Sequence, residues 1–198
     1  MRALSIVAAV PALIGLAAGP TLAADAYKID REHVWVAFEI EHLPWAEYLG
    51  MFHSIDGQIQ FDQNDVSASS VHAEIATASV DTSNASRDQG ELQGYGFFNS
   101  GKFPQITFDS TSIEKTGDRS GKITGNLTIG GVSKPVVLDT VFNGQAVSPW
   151  DGAMRIGFSA TGTLDTNDFG MTGVVPLKIG PKVDFHIEVE AVKCELTC

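Results

Sequence analysis

The chain has 198 residues, 43% of them hydrophobic, with 13 basic residues against 24 acidic ones. This composition supplies a full apolar core for one domain, or at most two, and it excludes an intrinsically disordered chain. The net charge of −11 argues against partners that carry the same sign of charge, namely nucleic acids and anionic lipid surfaces.

Residues 1–24 have the pattern of a secretory signal peptide. A basic residue begins the segment, an apolar run spans residues 3–18, and small residues end it, so we expect cleavage after Ala24. The run is shorter than the roughly 20 residues of a membrane-spanning helix, and prolines punctuate the segment. We therefore expect an exported, periplasmic protein whose single mature domain, residues 25–198, has no stable membrane insertion.

The strand pattern begins at His33–His42, HVWVAFEIEH. Val34, Val36, Phe38 and Ile40 alternate with residues of the opposite face, which predicts a half-buried strand. Seven later stretches show the same period of two and are separated by residues that favour turns. They are Met51–Asp62, Ser69–Asp81, Gln105–Lys115, Lys122–Gly130, Ser133–Asn143, Ala153–Asp165 and Lys182–Lys193. Gly57 in mid-strand suggests a bulge or a bend.

Three segments interrupt the strands. Leu43–Gly50 contains Pro and Gly and is predicted to be a short helical turn. Thr82–Pro104 begins with residues that favour helix starts, but its glycines weaken a long helix, so we expect a loose lid. Thr166–Pro181 is a second long loop. The lid ends in several phenylalanines, which must pack on the sheet or into its mouth.

Eight antiparallel strands of about ten residues predict an all-β fold. They fit a closed barrel, which at this strand number is filled by side chains or holds one small ligand. A sandwich of two sheets is the alternative architecture.

The sequence offers few groups for catalysis or metal binding. Cys194 and Cys198 could close a small terminal loop, pair with another chain or remain as thiols. The five histidines are scattered without the spacing of a metal motif, and His33 and His42 lie on opposite faces of one strand, so we expect no metal site. No nucleophile motif such as Gly-x-Ser-x-Gly occurs, and we expect no enzymatic activity.

A series of short motifs extends over residues 25–193. In chain order they are Tyr27-Lys28-Ile29-Asp30, His42-Leu43, Ser79-Val80-Asp81-Thr82, Arg87-Asp88, Phe97-Phe98, Phe103-Pro104, Gly125-Asn126-Leu127-Thr128-Ile129 and Asp168-Phe169-Gly170. In this order the motifs resemble the YceI-like family of polyisoprenoid-binding periplasmic proteins. Two departures, at Gln89–Leu92 and at Thr166-Asn167, lie in loops that we place near the cavity mouth, where they would affect head-group preference.

The resemblance implies an eight-stranded antiparallel, lipocalin-like barrel with short helical lid segments. Its elongated cavity would hold a long-chain apolar ligand such as a polyisoprenoid, an isoprenoid quinone or a fatty amide, with no other cofactor. The expected partner is thus a lipid, and a homodimer is left open. The alternatives are a barrel filled by its own side chains that serves as a structural or partner-binding domain and, less favoured, a lipid-modifying enzyme.

Candidate ligand-binding residues follow from strand parity and from the lid. His42 shares the inward parity of its strand and would either contact a ligand head group or bind a neighbouring carbonyl. Arg87 and Asp88 would either hold a head group or fix the lid by a local ion pair. The phenylalanines would line the cavity or fill the core. The full set is Val36, Phe38, Ile40, His42, Leu43, Phe52, Ile75, Arg87, Asp88, Phe97, Phe98, Phe108, Leu127, Phe158, Phe169, Met171 and Phe185.

Overall fold

The computed structural model describes residues 24–195 and residue 198, so the predicted signal peptide lies, except for its last residue, outside the described residues. The described chain is built almost wholly of antiparallel strands, which confirms the all-β prediction. The strands are β1 (Asp25–His42), β2 (Ala46–Phe52), β3 (Ile55–Phe61), β4 (Ser70–Ala76), β5 (Val80–Asp81), β6 (Gln105–Lys115), β7 (Ser120–Ile129), β8 (Val132–Val147), β9 (Met154–Asp165) and β10 (Lys182–Lys193).

Eight of the ten strands close into a barrel in the order β1, β3, β4, β6, β7, β8, β9, β10 and back to β1. The long strand β1 closes the ring, because one of its edges pairs with β10 and the first part of the other edge pairs with β3. The second part of that edge pairs with β2, which carries β5. The closed ring confirms the barrel and excludes the two-sheet sandwich.

The predicted helical turn at Leu43–Gly50 is wrong. Leu43 lies in a left-handed turn (φ 57°), and the chain then returns as β2 with Glu47 opposite Glu41. Pro44 belongs to this turn rather than to a helix. Gly50 lies inside the strand, since a Cβ there would meet the Phe38 ring at 2.2 Å. The prediction failed because the glycine makes room for a ring and does not mark a break.

Other strand bounds differ in detail. The predicted strand Met51–Asp62 is interrupted after Phe52, and the predicted strand Ser69–Asp81 is interrupted by a 3-10 turn at Thr77–Ser79. β1 begins eight residues earlier than predicted, at Asp25, and passes through a register shift between Ile29 and Val34. β6 and β10 have the predicted bounds.

Of the bulge or bend predicted at Gly57, the bulge is wrong, because β3 and β4 pair without a register shift and Gly57 faces Ala73. Gly57 has φ 156°, and a Cβ at this position would lie 2.2 Å from the carbonyl oxygen of His72. Both the backbone conformation and the close approach of the neighbouring strand therefore require glycine.

We expect Gly57→Ala to lower the free energy of unfolding by about 1–3 kcal/mol, because it forces alanine into a conformation that side chains rarely adopt. Gly101→Ala is the control, since a Cβ at Gly101 has no atom within 4 Å. Urea denaturation followed by circular dichroism measures both variants. Equal midpoints for the two variants would contradict this account.

Short helical segments cover one end of the barrel, as predicted. The lid contains α1 (Ala85–Arg87), followed by a π-helical turn at Asp88–Leu92. The amide of Arg87 donates to the Asn84 side chain, which caps α1. The second loop contains a 3-10 turn at Thr166–Phe169 and α2 (Val174–Leu177). Within residues 24–195, the structure has no helix with the length and apolar character needed to cross a bilayer.

The two cysteines lie after β10. Cys194 and Cys198 form a disulfide with their Cα atoms 5.3 Å apart, so of the three alternatives the structure has the small terminal loop. The amide of Cys194 donates to the carbonyl of Ala26, which fastens this loop to the start of β1. The disulfide lies at the end of the barrel opposite the lid.

Candidate ligand-binding cavity

The barrel encloses a cavity of about 430 Å³ that extends from the lid to the opposite end. Its wall consists mainly of aliphatic and aromatic side chains from the inner faces of the strands. Phe38, Phe158, Phe185 and Ile187 face this space and are only partly buried, although they pack against the core. The volume lies in the range of pockets that bind small molecules. The interior of the barrel is therefore not filled by its own side chains.

The centre of the barrel remains open because large aromatic rings lie over glycines of the barrel wall. A Cβ at Gly50 would be 2.2 Å from the Phe38 ring, and a Cβ at Gly162 would be 2.5 Å from the Phe185 ring. In both pairs the glycine and the phenylalanine are direct partners on neighbouring strands. Each ring thus occupies the place of a missing side chain and does not project into the centre of the barrel.

Aromatic clusters mark the two ends of the cavity. At the lid, the Phe52 ring lies 5.7 Å from Phe38 and 5.4 Å from Phe98. At the other end, the rings of Phe61, Phe142 and Phe158 lie pairwise 5.3 Å apart, and the β6–β7 hairpin closes over this end. The closure uses Arg119, whose Nε donates to the carbonyl of Phe142 at 2.7 Å.

Polar groups face the cavity at the lid end. The Arg87 guanidinium lies 4.7 Å above the Tyr48 ring, and its Nε donates to the Thr82 hydroxyl at 2.7 Å. Its Nη2 donates to the Thr82 carbonyl at 2.8 Å. All three residues line the cavity. The arrangement gives this end a fixed cation beside an otherwise apolar space.

Most of the residues predicted to bind a ligand lie on the cavity wall. These residues are Val36, Phe38, Ile40, Phe52, Ile75, Arg87, Phe97, Phe98, Phe108, Leu127, Phe158, Met171 and Phe185. Strand parity located the residues of the barrel, since the inner face alternates along each strand. Their contact with a ligand stays a prediction.

Four predicted residues do not lie on the cavity wall. His42 ends β1 opposite Ala46 and stacks on Tyr48 at 4.3 Å, and Leu43 belongs to the β1–β2 turn, so both lie beyond the part of β1 that lines the cavity. Asp88 is buried and accepts hydrogen bonds from the amide and hydroxyl of Thr82, which favours the role of fixing the lid. Phe169 is packed in the core.

Sequence reasoning missed several wall residues at the lid. Tyr48 was assigned to a helical turn, although its spacing of four from Phe52 fits one face of a strand. Leu92, Val174 and Ile179 come from short helical segments and their flanks, and no periodic pattern identifies them. Phe61 of β3 also lines the cavity but was not selected as a binding residue.

One cluster outside the cavity has the residue types of a metal site. Ligand atoms of Asp30, His33 and Glu190 lie within 4.8 Å of one another. Arg155 lies among them, with its guanidinium 3.6 Å from Asp30 and 4.0 Å from Glu190, and thus already neutralises these carboxylates. The hydrogen bond with Asp30 raises the pKa of His33, as expected for a cation beside carboxylates. We interpret the cluster as an ion-pair network.

Comparisons with known proteins agree with this architecture. The profile of the YceI-like domain matches residues 27–191. A UPF0312 protein of Yersinia pestis is 42% identical over 181 residues, which cover 89% of this chain and 90% of the relative. The YceI protein of Campylobacter jejuni superposes with a TM-score of 0.70 at 36% identity, covering 78% of this chain and 90% of that structure.

A more distant structure shares the fold. A polyisoprenoid-binding domain from Saccharophagus degradans superposes with a TM-score of 0.67 at 14% identity, covering 86% of this chain and 99% of that domain. At this identity the likeness concerns the fold alone. The profile match and the relatives together confirm the resemblance seen in the motifs, and the chain belongs to the YceI-like domain family.

Proposed function

We propose that the protein is a periplasmic carrier that holds one long-chain apolar ligand of the isoprenoid or fatty type inside the barrel. The observation that carries this proposal is the open, apolar cavity of about 430 Å³. Such a wall offers dispersion contacts and desolvation, which suit a hydrocarbon chain and give little to a sugar or a nucleotide. The polyisoprenoid-binding domain of Saccharophagus degradans, with its similar fold, supports the same ligand class.

The lid end suggests how such a ligand is oriented. Arg87 supplies a cation beside Tyr48 and Thr82. At the opposite end a cluster of phenylalanine rings lies beside the β6–β7 hairpin, and Arg119 of this hairpin is already engaged with the carbonyls of Phe142 and Asn143. We therefore expect the polar head of the ligand, such as a quinone carbonyl or an amide, at the lid and its chain deeper in the barrel.

The proposed role is binding without chemistry. Among the described residues, no histidine or cysteine lines the cavity, and the Thr82 hydroxyl at the lid is engaged with Arg87 and Asp88. An enzyme would need a nucleophile next to a base at this place. The absence of enzymatic activity stays a prediction.

Recovery of the ligand tests the proposal. We expect native mass spectra of the protein purified from the periplasm to show a non-covalent adduct, and organic extraction to release a long-chain lipid. Protein stripped by extraction and refolded should bind added polyprenol or ubiquinone in a ratio of one to one. A chain that carries no adduct and also refuses both probes would reject the carrier in favour of a structural or partner-binding barrel.

A further inference from the structure

Four large apolar side chains are exposed around the lid end of the barrel, and we call them the apolar rim. They are Trp45, Tyr95, Val175 and Leu177, which are 74%, 91%, 64% and 45% exposed. Trp45 lies in the β1–β2 turn, Tyr95 in the lid, and the other two in α2. Single exposed apolar residues are ordinary on protein surfaces. The four residues indicate an interaction surface only if they lie together.

Backbone hydrogen bonds hold the three segments together. The amide of Gly180, after α2, donates to the carbonyl of Glu41 beside the β1–β2 turn at 3.1 Å. The amide of Gly173, before α2, donates to the carbonyl of Gly96 in the lid at 2.8 Å. The apolar rim is therefore built on one connected end of the barrel and is not scattered over its surface.

Each of the three segments also contributes to the cavity wall. Val174 is 3% exposed and lines the cavity, whereas its neighbour Val175 is 64% exposed and points away. Tyr48 lines the cavity from β2, close to Trp45, and Phe97 lines it from the lid, two residues after Tyr95. The segments that carry the apolar rim thus also carry, at or next to the rim residues, apolar side chains that line the cavity.

We propose that the apolar rim docks reversibly on the interface of a lipid bilayer and that the carried ligand passes between bilayer and cavity at this place. The inference rests on the proposed carrier function. Trp and Tyr favour the interfacial region of bilayers, where an apolar body and a polar tip are both satisfied. A protein partner would cover the rim equally well, but only a bilayer also explains why the rim surrounds the lid end of a cavity for a lipid.

Charge specifies the kind of bilayer. The net charge of −11 repels anionic surfaces, so attraction must come from apolar area. The proposal therefore predicts docking on zwitterionic lipid that weakens when anionic lipid is added and recovers when salt screens the repulsion.

Vesicle flotation tests the proposal. We expect the protein to float with phosphatidylcholine vesicles and the variant Trp45→Ser/Tyr95→Ser/Val175→Ser to lose at least about tenfold in vesicle affinity. Trp150→Ser is the matched control, because Trp150 is 91% exposed in the β8–β9 turn at the opposite end of the barrel. This control should bind vesicles like the unchanged protein. Circular dichroism confirms that both variants are folded.

Three outcomes would overturn the rim proposal. The first is no flotation of the unchanged protein, and the second is a loss of vesicle affinity in Trp150→Ser as large as that in the triple variant. The third is a dimer in analytical ultracentrifugation that the triple variant abolishes, which would assign the rim to a second copy. Ligand recovery by mass spectrometry is measured separately. If the protein contains lipid but does not float, the carrier proposal stands and the rim proposal is rejected. If it floats but never contains lipid, the carrier proposal is rejected.

Discussion

Ala160→Phe is expected to abolish ligand binding while leaving the barrel folded. Ala160 lies on the inner face of β9, lines the cavity and pairs with Ile187 of β10. A phenyl ring at this position projects into the space that a ligand chain would occupy. We expect the affinity for polyprenol or ubiquinone to fall on the order of 100-fold, equivalent to about 2.7 kcal/mol. Fluorescence titration or native mass spectrometry measures the loss.

The next residue supplies the control. Thr161 is exposed on the outer face of the same strand, so Thr161→Phe adds a similar ring outside the barrel and should leave the affinity unchanged. Overpacking costs about 1–3 kcal/mol of stability, and Ile187→Phe is a milder second variant in case Ala160→Phe does not fold. Folded inner-face variants that bind ligand as tightly as Thr161→Phe would show that the ligand does not occupy the barrel.

The barrel and its inner face were largely predictable from the sequence, for a physical reason. Strands that are buried on one face repeat apolar residues with a period of two, as in Val34, Val36, Phe38 and Ile40, and the pattern fixes both strand and face. β6 has this period and turn residues on both sides, β10 has the period and Gly180-Pro181 before it, and both were predicted with the correct bounds. Parity then located most of the cavity wall.

The strand predictions failed where a glycine packs against a residue of a neighbouring strand. Gly50 looked like a break and Gly57 like a bulge or a bend, but Gly50 makes room for the Phe38 ring and Gly57 for the backbone of β4. Whether a glycine marks a turn or receives a neighbour depends on the paired strand, which a single sequence does not contain. The same limit applies to the hollow centre, because the volume depends on Phe38 and Phe185 lying against glycines.

The lid was the least predictable part. Its segments are too short to show a helical period, and their positions depend on a few side-chain hydrogen bonds. For Arg87 and Asp88 the sequence allowed two interpretations, a head-group site or an ion pair that fixes the lid. The structure separates the two residues, since Arg87 lines the cavity and Asp88 is buried within the lid.

Asp88→Ala is expected to release the lid. The buried carboxylate accepts hydrogen bonds from the Thr82 amide, at 3.1 Å, and from the Thr82 hydroxyl, which also accepts from Arg87. Removing the carboxylate leaves the partly buried Thr82 amide without its partner, a loss of about 1–3 kcal/mol. The open population of the lid should rise roughly 5- to 150-fold, since 1.4 kcal/mol is a factor of ten.

Amide hydrogen exchange measures the opening of the lid, and the rate of ligand dissociation measures whether the ligand leaves through it. Amides of Asp88–Leu92 should exchange faster in Asp88→Ala by the same factor, whereas amides of β6 and β10 keep their rates, because the barrel does not depend on the lid. Glu91→Ala is the control, since Glu91 is exposed in the same turn. The lid covers the end where Arg87 faces the cavity, so the bound lipid should also dissociate faster. Faster amide exchange with unchanged dissociation would place the ligand exit at the opposite end, between Gln63 and the β6–β7 hairpin.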